Sequence, residues 1–197
     1  MVAELGANFN GDVCLCLQMI DAAHAAGADA VKLQKRDASM VCIPAHQRDQ
    51  LRESPWGVLS YADYRRRLEL DTSAYDLIAT HCRYRGIQWF ASTWDEPSVD
   101  FLLRYDPPCL KVPSACLTDL ALLEKMRKTG LPVIASTGMS DEAQIARAVA
   151  ILGPARLILL HCVSTYPAPV EALNLRCIPW LRERFQVPVG YSGHEPG

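Results

Sequence analysis

Two lysines stand inside apolar runs, Lys32 in Asp29-Ala-Val-Lys-Leu-Gln34 and Lys111 in Cys109-Leu-Lys-Val-Pro-Ser114. An unpaired ammonium is costly to bury, so each needs a partner. Side chains alternate along extended backbone, which puts Lys32 and Gln34 on one face. Two such lysines converging on one mouth suggest an anionic ligand, most simply a phosphate or a carboxylate. Two structural salt bridges, to Glu4 or Asp95, are the other reading of the same residues.

Hydroxyls recur beside them. Ser92-Thr93, Ser114, Ser136-Thr137-Gly138, Ser164-Thr165 and Ser192-Gly193 all follow apolar runs. Hydroxyls and free amides at such positions hydrogen-bond phosphate oxygens, although each alone also serves as a turn or helix cap. His194 follows Ser192 by two residues and reads as a metal ligand, since neutral imidazole is a common donor to transition metals. His161, deep in an apolar run, reads as a hydrogen-bonded core histidine. His24, His46 and His81 carry no signal. Glu4 is the one carboxylate inside a strand core, expected to be buried and either paired with lysine or held as an acid/base. Tyr166, before Pro167, is placed to close over a substrate or to pack.

Seven short apolar runs must position these groups: Met1–Gly6, Asp29–Gln34, Ile87–Thr93, Cys109–Ser114, Pro132–Gly138, Leu157–Cys162 and Val187–His194. Each ends in a polar or small-residue cluster, and helix-like segments lie between them. That alternation reads as βα units around a parallel sheet. A closed sheet of this kind carries its chemistry on one rim, at the strand C-termini. The helices expected are 11–26, with Asp12 as N-cap and Gly27 as stop, 61–70, 71–85, 96–104, 118–128, 140–152 and 174–185. Residues 35–70, which hold Pro44, Pro55 and Gly57, form the longest interruption. The segment Gly6-Ala-Asn-Phe-Asn-Gly11 does not match a dinucleotide fingerprint, which disfavours an open doubly wound sheet. Seven units, against the eight of a closed barrel, give an α/β, TIM (β/α)8-type barrel that is C-terminally incomplete, one domain over residues 1–197.

With 197 residues, half of them hydrophobic, and a net charge of −2, the chain can bury one sizeable core. The near-neutral balance disfavours nucleic acid and anionic membrane as partners; the clusters Arg65–Arg67 and Arg83–Arg85 read as solvated helix faces. There is no run of about 18 apolar residues and no signal-peptide pattern at the start. The eight cysteines form no CxxC pair and read as reduced, buried thiols rather than disulfides or a zinc site, which suits a cytoplasmic protein.

Taken in order, the segments Ala3–Asp12, Gly27–Lys35, Leu110–Ser114, Ser136–Met139, Leu160–Pro169 and Gly190–Glu195 resemble the sialic acid synthase (N-acetylneuraminate synthase) family, and so do Trp56-Gly57 and Tyr61–Glu69. The resemblance implies a TIM barrel that condenses phosphoenolpyruvate with an N-acetylated amino sugar, N-acetylmannosamine or its 6-phosphate, to give a nonulosonic acid and phosphate. It implies a transferase with a divalent metal cofactor, Mn2+ or Mg2+, forming a homodimer in its full-length form. By position, Lys32, Thr93, Lys111, Ser114, Ser136 and Ser192 would hold phosphoenolpyruvate. Gln34 and Tyr166 would hold the sugar, Glu4 would act as acid/base, and His194 would bind the metal.

The chain departs from the family pattern at Phe9 (often His), Cys116 (Glu) and Ser164 (Asn). The eighth strand, with a second metal-binding histidine, and a C-terminal antifreeze-like domain are also absent from the sequence. The alternatives are a legionaminic, pseudaminic or Kdo 8-phosphate type of synthase, or a non-catalytic truncated remnant.

Overall fold

The computed structural model describes residues 1–37 and 48–196. Pro44 and His46, named above, and Cys42, one of the eight cysteines, lie outside the described residues. The chain forms two compact units, Met1–Pro107 and Pro108–Gly197.

In the first unit the strands β1 (Val2–Gly6), β2 (Ala30–Lys35) and β5 (Gln88–Thr93) are parallel neighbours in that order. Three of the seven expected runs therefore pair in sequence order. The helices α1 (Val13–Ala25) and α3 (Thr72–Arg85) connect them, and α4 (Glu96–Leu103) follows β5. The segment expected as a plain interruption instead holds an antiparallel hairpin, β3 (Leu51–Ser54) and β4 (Gly57–Ser60), leading into α2 (Tyr61–Leu68). Leu51 and Val58 on this hairpin are exposed, so its sequence lacks the inward–outward alternation that announces a strand.

The core of this unit packs Leu5, Phe9, Ile20, Val31, Leu33, Tyr75, Ile78, Ala91 and Leu102. Tyr75 stands at its centre, with ring centroids 5.8 Å from Trp89, 5.0 Å from Phe101 and 6.0 Å from Tyr105. The Lys35 ammonium lies 5.7 Å from the Tyr75 ring and 4.9 Å from the Phe101 ring, a cation–π arrangement.

In the second unit β6 (Leu110–Val112), β7 (Val133–Ser136), β8 (Leu157–His161) and β9 (Val189–Tyr191) are parallel, in that order. The helices α5 (Leu120–Lys128), α6 (Glu142–Leu152) and α7 (Cys177–Phe185) link them. The register pairs Lys111 with Ile134 and Ser136 with Leu160. Leu110, Val112, Leu122, Leu123, Met126, Ala135 and Leu159 form its buried interior.

Aspartate starts five of the helices. Asp12, Asp71, Asp95, Asp119 and Asp141 each accept from a backbone N–H two or three residues on, at 2.8–3.1 Å. Asp141 and Gln144 complete a capping box. A negative group in the first turn also complements the helix dipole.

The cysteines are free thiols among the described residues. Burial pushes Cys16 and Cys82 up to about 12 and Cys109 up to about 11, while Cys14 is exposed on the outer face of α1.

Gly11 has φ +74°, and a Cβ there would collide with the Arg67 carbonyl oxygen. Gly86, which stops α3 at φ +72°, faces open space. Gly11→Ala should therefore cost about 2–4 kcal/mol and Gly86→Ala about 1 kcal/mol, compared by urea denaturation. Equal losses would show that backbone conformation alone, and not the close approach to Arg67, fixes Gly11.

Candidate active site

The polar strand ends gather in two clusters, one in each unit. In the first, the register sets Lys32 beside Glu4 on β1 and Gln34 beside Ser92 on β5. Lys32 forms an ion pair with Glu4, and its Nζ donates to Ser92 Oγ at 3.0 Å. The salt-bridge reading thus holds for Lys32. Glu4 itself is not buried, as its side chain keeps 45% of its surface. It sits on the outermost strand of this unit's sheet, with a neighbour on one side. Gly6, at φ +58°, leaves room for the cluster: a Cβ there would lie 3.2 Å from Glu4 Oε1 and 3.6 Å from Gln34 Nε2.

Thr93 is not brought to this cluster. The register pairs it with Lys35, on the opposite strand face from Lys32, Gln34 and Ser92, and it is fully buried. Ser92 is the hydroxyl that meets Lys32. Of two adjacent hydroxyl residues, only the strand register tells which one faces which way.

Behind the strand face, Glu69 accepts from Lys35 Nζ at 3.4 Å and from the Arg36 amide at 3.3 Å. Desolvation lifts the Glu69 pKa above the ordinary 4.5, against the opposing pull of Lys35 and Arg36.

In the second unit Lys111 is 3% exposed, and its Nζ donates at 2.7 Å to both Ser136 Oγ and the Val112 carbonyl. Ser114 opens a short 3-10 turn directly after β6. Gly138 lies among these hydroxyls. A Cβ on it would stand 2.8 Å from Ser114 Oγ and 3.2 Å from the Cys162 carbonyl, and closer still to Ser164 Oγ. Ser164 Oγ is buried with no hydrogen-bond partner among the described residues. The unit therefore holds one buried cation bonded to Ser136 and, two residues on, a glycine whose missing side chain leaves room beside the hydroxyls of Ser114 and Ser164. Such a set suits the oxygens of a phosphate or carboxylate.

Ser192 follows β9, and its amide donates to the His161 carbonyl at 2.9 Å. His161 is the core histidine expected: its Nε2 meets the Leu173 carbonyl at 2.7 Å. His194 carries a buried Nδ1 without a hydrogen-bond partner among the described residues. Its ring stands 5.0 Å from that of Tyr166, which is largely exposed. Among the described residues no three His, Cys, Asp or Glu side chains converge as a metal-binding group. The residues therefore fit a metal through one nitrogen donor, not through a complete ligand set.

Comparison with known proteins gives these clusters a context. The model of the NeuB family matches residues 19–197. The chain belongs to the NeuB family. It is 34% identical to the N,N'-diacetyllegionaminic acid synthase of Legionella pneumophila, over all of this chain and 58% of that protein. It is equally 34% identical to the N-acetylneuraminate-9-phosphate synthase of Drosophila melanogaster, over all of this chain and 54% of that one.

The crystal structure of the sialic acid synthetase of Leptospira borgpetersenii superposes with a TM-score of 0.89 at 30% identity, covering 100% of this chain and 65% of that one. A truncated 3-deoxy-D-arabino-heptulosonate 7-phosphate synthase of Thermotoga maritima, at 11% identity and a TM-score of 0.68, shares the fold alone. The fold class is thus the incomplete TIM-barrel type expected from the seven βα runs. The chain spans little more than half the length of these curated relatives. Among the described residues no helix is long and apolar enough to cross a membrane.

Two substitutions test the second cluster's energetics without any ligand. Ser164→Ala removes a buried hydroxyl that has no partner, so unfolding midpoints should stay level or rise. Ser136→Ala takes an acceptor from a buried ammonium and should cost about 1–3 kcal/mol. A large loss on Ser164→Ala would mean that this hydroxyl already has a structural partner.

Glu69 supplies a pH test. Its raised folded-state pKa means that the native protein holds this proton more tightly than the unfolded chain does. Its contribution to stability is complete below 4.5 and is lost as pH rises through the folded-state pKa. Glu69→Gln should flatten that decline in urea midpoints measured upward from about pH 4. An unchanged pH profile would remove Glu69 as its source.

Proposed function

We propose that the chain carries the phosphoenolpyruvate-binding and sugar-binding groups of a nonulosonic acid synthase. The reaction joins phosphoenolpyruvate to an N-acetylated amino sugar, N-acetylmannosamine or its 6-phosphate, with the uptake of water and release of phosphate. The observation that carries this reading is the buried Lys111 bonded to Ser136, with the Ser114 and Ser164 hydroxyls beside Gly138, two residues after Ser136. A desolvated cation beside preset hydroxyls recognises an oxyanion, and membership of the NeuB family says which oxyanion to test first.

In this reading carbon 3 of phosphoenolpyruvate attacks the sugar's aldehyde carbon. Water adds at carbon 2, and the tetrahedral intermediate expels phosphate by C–O cleavage. Lys111, Ser114, Ser136, Ser164 and Ser192 hold oxygens of phosphoenolpyruvate, and Lys111 offsets the charge that grows on the departing phosphate. Lys32, steadied by Ser92, serves the same substrate. Gln34 and the exposed Tyr166 ring hold the sugar. Glu4 is the acid/base; its exposure lets it exchange a proton with bulk water between turnovers. His194 is the chain's donor to Mn2+ or Mg2+. When bound, that cation polarises the aldehyde as a Lewis acid. The full-length protein is proposed to act as a homodimer in the cytoplasm.

Equal identity to a legionaminic acid synthase and to an N-acetylneuraminate-9-phosphate synthase leaves the acceptor to experiment. The test is phosphate release from phosphoenolpyruvate by the protein carrying this chain, with Mn2+ and a panel of N-acetylated hexosamines. Release should require an acceptor. Lys111→Met, which swaps a buried cation for an apolar side chain of similar length, should lower kcat/KM at least about a hundredfold. Calorimetric binding of phosphoenolpyruvate without turnover on any acceptor would favour the truncated remnant. Neither binding nor turnover would end the proposal.

A further inference from the structure

Arg36 has no role in the chemistry set out above, yet it is one of the most buried charged side chains in the chain, at 5% exposure. It follows β2 directly, and three groups of the first unit hold it. Its guanidinium lies 3.9 Å from the centroid of the Trp94 ring. Its Nε stands 3.9 Å from Glu69 Oε1, and its backbone amide donates to the other Glu69 oxygen at 3.3 Å. Its Nη2 donates to Oε1 of Gln34. A planar guanidinium stacked on indole and paired with a carboxylate has little freedom left.

The consequence falls on Gln34. A glutamine amide has an accepting oxygen and a donating NH2, and rotation about its last bond exchanges them. Arginine has donors only, so it accepts just one of the two orientations. With Oε1 engaged by Arg36, Nε2 turns the other way. It lies 3.6 Å from the point where a Cβ on Gly6 would sit, on the side where Glu4 also lies. Because Gly6 has no side chain, no Cβ from that position stands against the NH2.

We propose that Arg36 is a positioning residue that locks the Gln34 amide with its carbonyl turned away and its NH2 presented to the sugar, so that the site selects an acceptor oxygen at that point, a hydroxyl or an acetamido carbonyl. The inference rests on the sugar-binding role proposed for Gln34. Glu69 and Trp94 act through Arg36, and none of the three touches substrate. The buried Glu69 carboxyl ties α2 to the end of β2, so the segment that follows the hairpin also steadies the amide.

A double-mutant cycle of Arg36→Met and Gln34→Ala tests this, read as KM and kcat for N-acetylmannosamine at saturating phosphoenolpyruvate. Arg36→Met should raise the sugar KM about tenfold while kcat and the phosphoenolpyruvate KM stay within about twofold. Once Gln34 is Ala, the same substitution should add less than about twofold. An equal effect in both backgrounds, or one confined to kcat, overturns the proposal, since a purely structural residue behaves that way. If Arg36→Met does not fold, Arg36→Lys keeps a cation beside Glu69 and replaces it in the cycle with the same expectations.

Absence of acceptor-dependent phosphate release from the unsubstituted protein would be a failure of the functional reading alone. The amide itself then decides. In 15N-glutamine spectra, with Gln34→Ala giving the assignment, a shifted Gln34 side-chain NH2 pair that returns to the free-amide position in the Arg36 variant supports the lock. Identical positions in both overturn it.

Discussion

A lysine ammonium kept almost wholly from water is the constraint on which the second half of the molecule turns. Removing such a charge from solvent costs several kcal/mol even after the protein relaxes around it. Lys111 meets that cost through the Val112 carbonyl and Ser136 Oγ. The first lies on β6 itself, but the Ser136 hydroxyl is in reach only if β6 and β7 pair in the observed register. A slip of one residue would turn Ser136 to the helix side and leave the cation facing an alanine. The charge therefore helps to fix the register, and the register assembles the hydroxyls. Binding chemistry and strand pairing are specified by the same contact.

The first unit meets its charges differently. Lys32 is paired on one strand face and Lys35 on the other, the first to Glu4 and Ser92, the second to Glu69 and two aromatic rings. The two lysines of β2 thus divide between a partly exposed cluster and a buried network. Arg36 joins the two, since it touches both Glu69 and Gln34.

Much of this organisation is written locally in the chain. The seven runs, their polar ends, the aspartate caps and the shared face of Lys32 and Gln34 all follow from period, capping chemistry and the cost of burying charge. What escaped depends on pairing between distant segments. Thr93 and Ser92 are equivalent in sequence, and only the partners of β5 decide that Ser92 faces Lys32. Glu4 reads as buried because its strand is apolar, but a strand with one neighbour leaves its side chains wetter than the pattern suggests. The hairpin before α2 is masked by its exposed apolar residues and by the proline and glycine at its turn. Ser164 and Arg36 carry their meaning through what surrounds them, Gly138 for one and Gln34 for the other, and no spacing rule connects those positions.

The burial of the cysteines has a bearing on how this protein meets electrophiles. Burial raises the pKa of these thiols far above neutral pH and so keeps them protonated, whereas the thiolate is the reactive species. Cys16 and Cys82 are thereby shielded twice, by access and by protonation, from alkylating reagents and peroxide. Cys14, in the first turn of the helix that carries Cys16, is exposed. Two residues of spacing on a helix separate an inert core thiol from an accessible attachment point, where a maleimide dye could be installed without disturbing the interior.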